Sequence, residues 1–267
     1  MLLIDGDLFL HRGTVVAEKE VRWDEENHML FSNEEEAWVA VEHELFKVAS
    51  HWLDLTEESL KQIVICLSSP PIFRTEVDPT YKSKRGESRK PVAYTAVRER
   101  LEREYQTVKM PGLEADDVMG ILSTKPGNND TIICSFDKDM KQVPGLLWDG
   151  ELKSIDREAA DLFFLTQVLT GDTSDGYKGC PGVGPVKAAR LLSDAACKAY
   201  EETAVGNPEA NPTDVFRYQW VAIVEAFEKA GLTADDAITQ ARLARILRWD
   251  DWDTNKKEVK LWTPPIG

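Results

Sequence analysis

The chain has 267 residues, 42% of them hydrophobic and 30% charged, with a formal net charge of −15. That is the make-up of a folded globular protein long enough for one large domain, or for a domain with a smaller attachment. No apolar run approaches the roughly 18 residues of a membrane span, and Met1-Leu2-Leu3-Ile4 meets Asp5 too soon for a signal peptide, so a cytoplasmic protein is expected.

In chain order, Leu2 to Ile4 reads as a buried strand ending at Asp5. Ser32 with Glu35 reads as a capping box, and Ala37, Trp38, Val41, Leu45, Val48 and Trp52 recur at helical spacing, predicting an amphipathic helix over residues 33–54. Ile63 to Leu67 and Thr131 to Cys134 are further short apolar strands, and Leu146 to Trp148 offers another. Strands alternating with helical stretches predict an α/β fold with a mostly parallel central sheet flanked by helices. Ligands of such sheets bind beyond the carboxyl ends of the strands. After Asp156 the pattern is helical, over Ala159–Leu169, Ala188–Leu192, Val215–Ala230 and Ala237–Leu247, with residues 205–213 as the clearest linker. Residues 249–267, rich in Trp, Asp and Pro, receive no assignment. The cysteines Cys66, Cys134, Cys180 and Cys197 show no Cys-x-x-Cys pair, which argues against zinc and against a disulfide framework; Cys66 and Cys134 read as buried thiols.

The acids are placed unusually. Asp5 ends the first strand, Asp137 and Asp139 follow the strand at 131–134, Asp172 and Asp175 follow Gly171, and Glu114, Asp116 and Asp117 open a helical run after Gly112-Leu113. Each group has an ordinary reading: a turn at Asp5-Gly6-Asp7, dipole-favouring acids at Glu114–Asp117, a solvated loop at 135–139, a turn at 171–175. So many carboxylates aimed at one place repel one another unless cations bind between them, and all four groups together favour a metal site.

Charge is unevenly spread. Residues 14–60 carry 13 acids against 3 bases and residues 110–176 carry 13 against 5, whereas residues 74–109 hold 10 bases against 6 acids and residues 177–199 hold 4 against 1. Two basic islands in an acidic chain can hold a phosphate backbone locally. The first contains Phe73-Arg74, Tyr81-Lys82-Ser83-Lys84-Arg85 and Arg89-Lys90. Such a run is usually a solvated face, yet an aromatic beside alternating bases also suits stacking on a base while clasping its phosphate. The second contains Gly182-Val183-Gly184-Pro185 ahead of Lys187, glycines at a helix start whose N–H groups can grip a phosphate; a plain helix–turn–helix corner is the alternative.

In this order the segments resemble the 5′-nuclease superfamily: flap endonucleases, the 5′-nuclease domain of bacterial DNA polymerase I, and stand-alone phage 5′→3′ exonucleases. The resemblance spans about residues 2–192. It rests on Leu3-Ile4-Asp5-Gly6 with Arg12, Phe73-Arg74 with Tyr81-Lys82 and Arg85, Gly112 to Asp117, Asp137-Lys138-Asp139-Met140, and Gly171 to Asp175 leading into Pro181-Gly182-Val183-Gly184. It implies a catalytic domain over residues 1–165 with a helical arch at about 74–109, and a helical region over 166–267 with a helix–hairpin–helix element at about 171–192. Asp5, Glu114, Asp116, Asp117, Asp137, Asp139, Asp172 and Asp175 would ligate two or more Mg²⁺ ions, with Mn²⁺ able to substitute. Lys82 and Arg85 would act on the scissile phosphate; Arg74, Tyr81, Lys84, Gly182, Gly184 and Lys187 would contact DNA, with a K⁺ ion at the hairpin. The implied activity is Mg²⁺-dependent hydrolysis near a 5′ end or 5′ flap, leaving a 5′-phosphate, by a monomer acting in replication, primer removal or recombination. RNA of RNA–DNA hybrids is a further substrate the resemblance allows.

The sequence departs from the family at one place. Members commonly carry another metal-binding Asp at the end of the second strand, where this chain has Leu67-Ser68-Ser69-Pro70. Asp7 could compensate, or a hydroxyl holding a water could serve. A haloacid-dehalogenase-type phosphatase, with Asp5, Asp7, Ser68 and Asp172, is the rival enzymatic reading, but it leaves Glu114–Asp117, the basic island and the glycine turn unexplained. A catalytically silent structure-specific DNA-binding module is the third.

Overall fold

Leu2 to Asp5 are buried along their whole length, and this strand, β1 (Leu2–Asp5), lies at the centre of a six-stranded sheet. The computed structural model describes residues 1–25, 27–53, 56–83, 89–128, 130–206 and 212–265. After β1 come α1 (Gly6–Val16), a hairpin of β2 (Glu18–Arg22) and β3 (His28–Ser32), α2 (Glu34–Ala49), α3 (Glu57–Leu60), β4 (Ile63–Cys66), α4 (Arg74–Val77), α5 (Tyr94–Glu104), β5 (Thr107–Val108) and α6 (Ala115–Ser123). Then follow β6 (Ile132–Cys134), β7 (Gly145–Trp148), β8 (Leu152–Ile155), α7 (Arg157–Thr170), α8 (Pro185–Gly206), α9 (Pro212–Lys229), α10 (Ala234–Ala244), and a small hairpin of β9 (Trp252–Asp253) and β10 (Glu258–Val259).

The sheet order is β5-β4-β1-β6-β7-β8, parallel throughout except for the β7–β8 pair. The inner strands β1, β4 and β6 are continuous apolar runs because both faces are covered. Leu2, Ile4, Ile63 and Ile65 point into a core made with α1, α2 and α5, while Leu3, Val64 and Cys66 point into a second core made with α6 and the segment around Ile246, Leu247 and Trp252. A third core joins α7 to α10 and takes in Tyr81.

Gly6 shows why the first motif has its form. A Cβ at this position would stand 2.6 Å from both Ile65 Cγ2 and Leu67 Cδ2 and 2.7 Å from the Cys66 carbonyl oxygen, so only glycine lets α1 start against β4. Asp5 is thereby delivered both to the end of a strand and to the N-cap of a helix, where its side chain accepts from Leu8 N at 3.1 Å.

Several expectations are corrected. The cap of α2 is Asn33, which accepts from Glu36 N at 3.0 Å, not the Ser32/Glu35 box, and the helix ends at Ala49 rather than residue 54. The hairpin β2–β3 went unforeseen because its strands are largely exposed and β2, Glu18-Lys19-Glu20-Val21-Arg22, is mostly charged. Within the supposed arch at 74–109, α5 packs on α1 and α2 and belongs to the body; residues 84–88 lie outside the described residues. Helix α7 runs unbroken across the expected boundary at 165/166. The expected linker at 205–213 is shorter, since α8 reaches Gly206 and α9 starts at Pro212, with residues 207–211 outside the described residues. No described helix is long and apolar enough to cross a membrane.

Candidate active site

At the carboxyl ends of β1, β4 and β6, with the start of α6 alongside, the chain leaves a cavity of about 590 Å³. Asp5, Asp7, Glu114, Asp116 and Asp137 line it together with Lys82 and Lys138. Five acids from three separate sequence segments therefore face one space, as expected for a site beyond the ends of parallel strands.

Each acid is held differently. Asp5 accepts from Ser135 Oγ at 2.8 Å, and burial, with Asp7 and Asp137 close by, lifts its carboxyl to about 6. Asp137 caps the 3-10 turn of residues 138–142 by accepting from Asp139 N at 2.8 Å. Asp116 accepts no hydrogen bond among the described residues, and burial together with Asp5 and Asp137 pushes its carboxyl well above the ordinary range. Glu114, the N-cap of α6, is the opposite case. Burial pushes it up, but Arg74 at 3.0 Å and Lys82 Nζ at 2.6 Å outweigh that and hold it ionised.

Asp139, Asp172 and Asp175 form a second group that does not line this cavity. Asp139 accepts from Gln167 Nε2 at 2.6 Å, and burial, with Asp137 next, lifts it to about 6. Burial would raise Asp172 too, but Lys138 Nζ at 2.6 Å and Ser174 pull it down to about 2. Asp175 accepts from the Tyr81 hydroxyl at 3.2 Å and stands 3.5 Å from Lys82 Nζ. The two groups are joined by two cations: Lys82 touches Glu114 and Asp175, and Lys138 reaches from the cavity wall to Asp172. Lys82 also has φ 51, a left-handed backbone that a lysine adopts at a cost and that its surroundings must impose.

Three expected site residues turn out to be interior struts. Asp117 is fully buried, and its two oxygens take Arg74 Nη1 at 2.6 Å and Arg74 Nη2 at 2.8 Å, with Leu247 N at 3.1 Å. Arg74 is 1% exposed and also donates to the carbonyls of Leu243, at 3.0 Å, and of Arg245. Its donors are used up inside the protein, so the expected DNA contact at Arg74 is withdrawn, as is the metal role of Asp117. Tyr81 is 6% exposed, with its hydroxyl on Glu114 and Asp175; it positions those acids instead of stacking on a base. Lys84 and Arg85 lie outside the described residues.

At the strand end without an aspartate, Asp7 reaches across from α1 and accepts from Ser68 N at 2.8 Å through Oδ2. Its Oδ1 takes the Tyr94 hydroxyl at 3.1 Å and lies 3.7 Å from Arg98, which donates to the Ser68 carbonyl at 2.7 Å. Sequence reasoning missed Tyr94, Arg98, Ser135 and Gln167, whose partners lie far away in the chain. Lys138 alone had a local signal, lying between Asp137 and Asp139.

Gly182, with φ 72, and Gly184 stand in the turn ahead of α8, where an added Cβ would meet nothing within 4 Å; Lys187 is exposed and donates to the Gly182 carbonyl at 3.3 Å. The turn's backbone is thus open to the outside. The hairpin between α7 and α8 is pinned by the Asp172–Tyr177 bridge, and Gly171, with φ 67, makes the reversal after α7 that brings Asp172 back toward Lys138.

The 5′-3′ exonuclease, N-terminal resolvase-like domain model matches residues 1–158. The exodeoxyribonuclease of Enterobacteria phage T3 is 30% identical, with 99% of this chain and 93% of the relative covered, and the exonuclease of Escherichia phage T7 has the same identity and coverage. Among solved structures, the bacteriophage T5 D15 flap endonuclease in a pseudo-enzyme-product complex with DNA and metal ions superposes with a TM-score of 0.52 at 13% identity, covering 90% of this chain and 98% of that one. That likeness is one of fold. The chain belongs to the 5′-3′ exonuclease family. It is a nuclease, and the phosphatase and silent-module readings fall away.

Proposed function

We propose that the cavity at Asp5, Glu114, Asp116 and Asp137 is where this exonuclease hydrolyses DNA phosphodiesters from a 5′ end, with Mg²⁺ as its cofactor and a 5′-phosphate and 3′-hydroxyl as product ends. The observation that carries this is Asp116, a carboxylate with no donor among the described residues, facing the same space as Asp5 and Asp137, whose negative charges repel it. An all-oxygen donor set of this kind suits a hard divalent cation. Among the described residues no three acids stand close enough together to hold an ion directly, so an ion bound here would be held partly through its own water. Asp5, Asp116 and Asp137 would hold one ion; Asp139, Asp172 and Asp175, beyond Lys138, would hold or orient a second. Bound there, such ions lower the pKa of water and neutralise charge on the leaving oxygen.

The chain's own residues do the rest. Lys82, fixed by Glu114 and Asp175, presents an ammonium at the cavity wall where charge gathers on the phosphoryl oxygens. Tyr81 and Arg74 hold Glu114 in place from behind. Asp7 is not a direct ligand in this reading, because both of its oxygens already have partners; it orders Ser68, which lines the cavity. The open glycine turn at Gly182 and Gly184 with Lys187 would grip duplex phosphates, with K⁺ able to assist, and a 5′ flap would be a substrate alongside a plain 5′ end. RNA–DNA hybrid cleavage and a monomeric state belong to the same reading. The test is an end-labelled duplex and a 5′-flap duplex incubated with and without Mg²⁺. Cleavage from the 5′ end only with Mg²⁺, giving 5′-phosphate ends, is expected; equal cleavage in EDTA overturns the metal reading.

The acids predict a pH signature. An aspartate raised in the folded protein from 3.8 to about 6, as Asp5 and Asp139 are, stabilises the fold below its ordinary value and loses that contribution as pH climbs through the raised one. Above pH 6 the ion-free protein therefore carries buried carboxylate charge, with repulsion from neighbouring acids added to it. Saturating Mg²⁺ is expected to raise Tm by a few degrees at pH 7.5 and by little at pH 4.5, measured by differential scanning fluorimetry; an equal shift at both values counts against these groups as the binding site.

A further inference from the structure

Two glutamines inside the protein form a one-way chain of hydrogen bonds that ends on an acid of the second group. Gln142 closes the 3-10 turn of residues 138–142 and is fully buried; Gln167, on α7, is 5% exposed. A buried side-chain amide is costly unless its donors and its acceptor are met. The Gln142 amide is met by two backbone groups that each act in one sense only: its Oε1 accepts from Ile246 N at 3.1 Å, and its Nε2 donates to the Ala244 carbonyl at 2.7 Å. Turned over, it would set N–H against N–H and oxygen against oxygen, so its orientation is fixed. Its Nε2 also donates to Gln167 Oε1, which leaves Gln167 Nε2 to donate to Asp139 Oδ1, at 2.6 Å. Arg248 donates to the Gln142 carbonyl through Nε at 3.2 Å and Nη2 at 2.6 Å, and so holds the head of the chain from the same C-terminal side. Among the described residues the other oxygen of Asp139, Oδ2, has no donor.

We propose that Gln167 is the positioning residue for Asp139 as a ligand of the second divalent ion, and that Gln142 and the backbone of residues 244–246 set Gln167 in turn. The proposal rests on the reading of Asp139 as part of the second ion's site. Gln167 is no ligand itself, because its oxygen accepts from Gln142 and its nitrogen can only donate. What it does is stop the Asp139 carboxylate from rotating. With Oδ1 pinned, Oδ2 is the oxygen left to meet a cation, and a ligand already fixed in place binds more tightly than one that must be ordered by the ion. Because the chain begins at Ala244 and Ile246, the seating of the segment after α10 reaches the acids through two amides, without touching an ion.

The test is a double-mutant cycle read by calorimetric titration of Mn²⁺ into the DNA-free protein. It compares wild type, Gln167→Leu, Asp139→Asn and the double variant. Gln167→Leu takes the donor from Asp139 but leaves the Gln142 amide satisfied by Ala244 and Ile246. It is expected to weaken the looser of two Mn²⁺ ions by about 10- to 100-fold and to leave the tighter one as in wild type. Asp139→Asn is expected to weaken the same ion, and Gln167→Leu to add nothing in that background, since the glutamine acts through the aspartate. Melting in EDTA monitors the fold; should Gln167→Leu melt below the titration temperature, Gln167→Met, which keeps the unbranched length of the side chain, carries the same cycle. Asp139→Asn with weakened binding beside Gln167→Leu with wild-type binding overturns the positioning role alone. So does a full further loss in the double variant, which would place the effect of Gln167 elsewhere. Wild-type binding in Asp139→Asn defeats the second-ion reading of Asp139 and the proposal with it.

Discussion

Asp116→Asn is expected to lower kcat on a 5′-ended duplex by on the order of 10²–10³-fold or more while leaving DNA affinity in Ca²⁺ close to that of wild type. The same change is expected to raise the Tm of the ion-free protein by a few degrees. Both effects have one cause. Asp116 faces Asp5 and Asp137 with no hydrogen-bond donor of its own, so its charge is a cost to the fold that only a bound cation relieves. Removing the charge removes the cost and the ion's anchor together, which is the trade of stability for activity expected at a working site. Asp137→Asn should follow the same pattern. A variant with full activity, or one that loses activity only by melting at a lower temperature, would show that Asp116 is a structural acid. Steady-state cleavage and thermal denaturation in EDTA decide between the outcomes.

The second large effect lies away from the ions. Arg74→Met is expected to destabilise the protein by about 3–5 kcal/mol, because it strands the Asp117 carboxylate with no cation in a fully buried place. That is a large share of the roughly 5–15 kcal/mol by which a domain is stable. Arg74 ties α4 to α6 through Asp117 and to the C-terminal end of α10 through the carbonyls of Leu243 and Arg245. Asp117→Leu should cost a similar amount, and the double variant no more than the worse single one, since the two groups chiefly satisfy each other. Urea unfolding of the four proteins gives the cycle. Unchanged stability in Arg74→Met, together with weakened DNA binding, would restore Arg74 to the DNA surface.

How much of this the sequence disclosed follows from distance along the chain. The strands ending at Asp5 and before Asp137 were legible because each is a short apolar run closed by an acid, and burial on both faces of a parallel sheet makes such runs continuous. The gathering of Asp5, Glu114, Asp116 and Asp137 was legible for the same reason, since strand ends on one side of a parallel sheet share a rim. Asp117 was misread because it is adjacent to Asp116, and one step along a helix turns a side chain by about 100°. That rotation takes Asp117 off the cavity and into the core, where Arg74, 43 residues earlier, meets it. Arg74 and Tyr81 were misread together, because a basic island in sequence looks the same whether its members face phosphate or buried carboxylates. The hairpin at Glu18–Ser32 left no apolar periodicity to find, being mostly exposed. Tyr94 and Arg98 were invisible because their partner Asp7 is 87 residues from Tyr94.

The central claim is that separate acids share divalent ions in one cavity, and its most direct measurement is the count of bound ions. Mn²⁺ titrated into the protein at pH 7.5 and followed by electron paramagnetic resonance is expected to show saturable binding that Mg²⁺ displaces, weakened at least tenfold in Asp116→Asn and in Asp137→Asn with the fold intact. Binding of the same strength and number in wild type and in both variants would contradict the account.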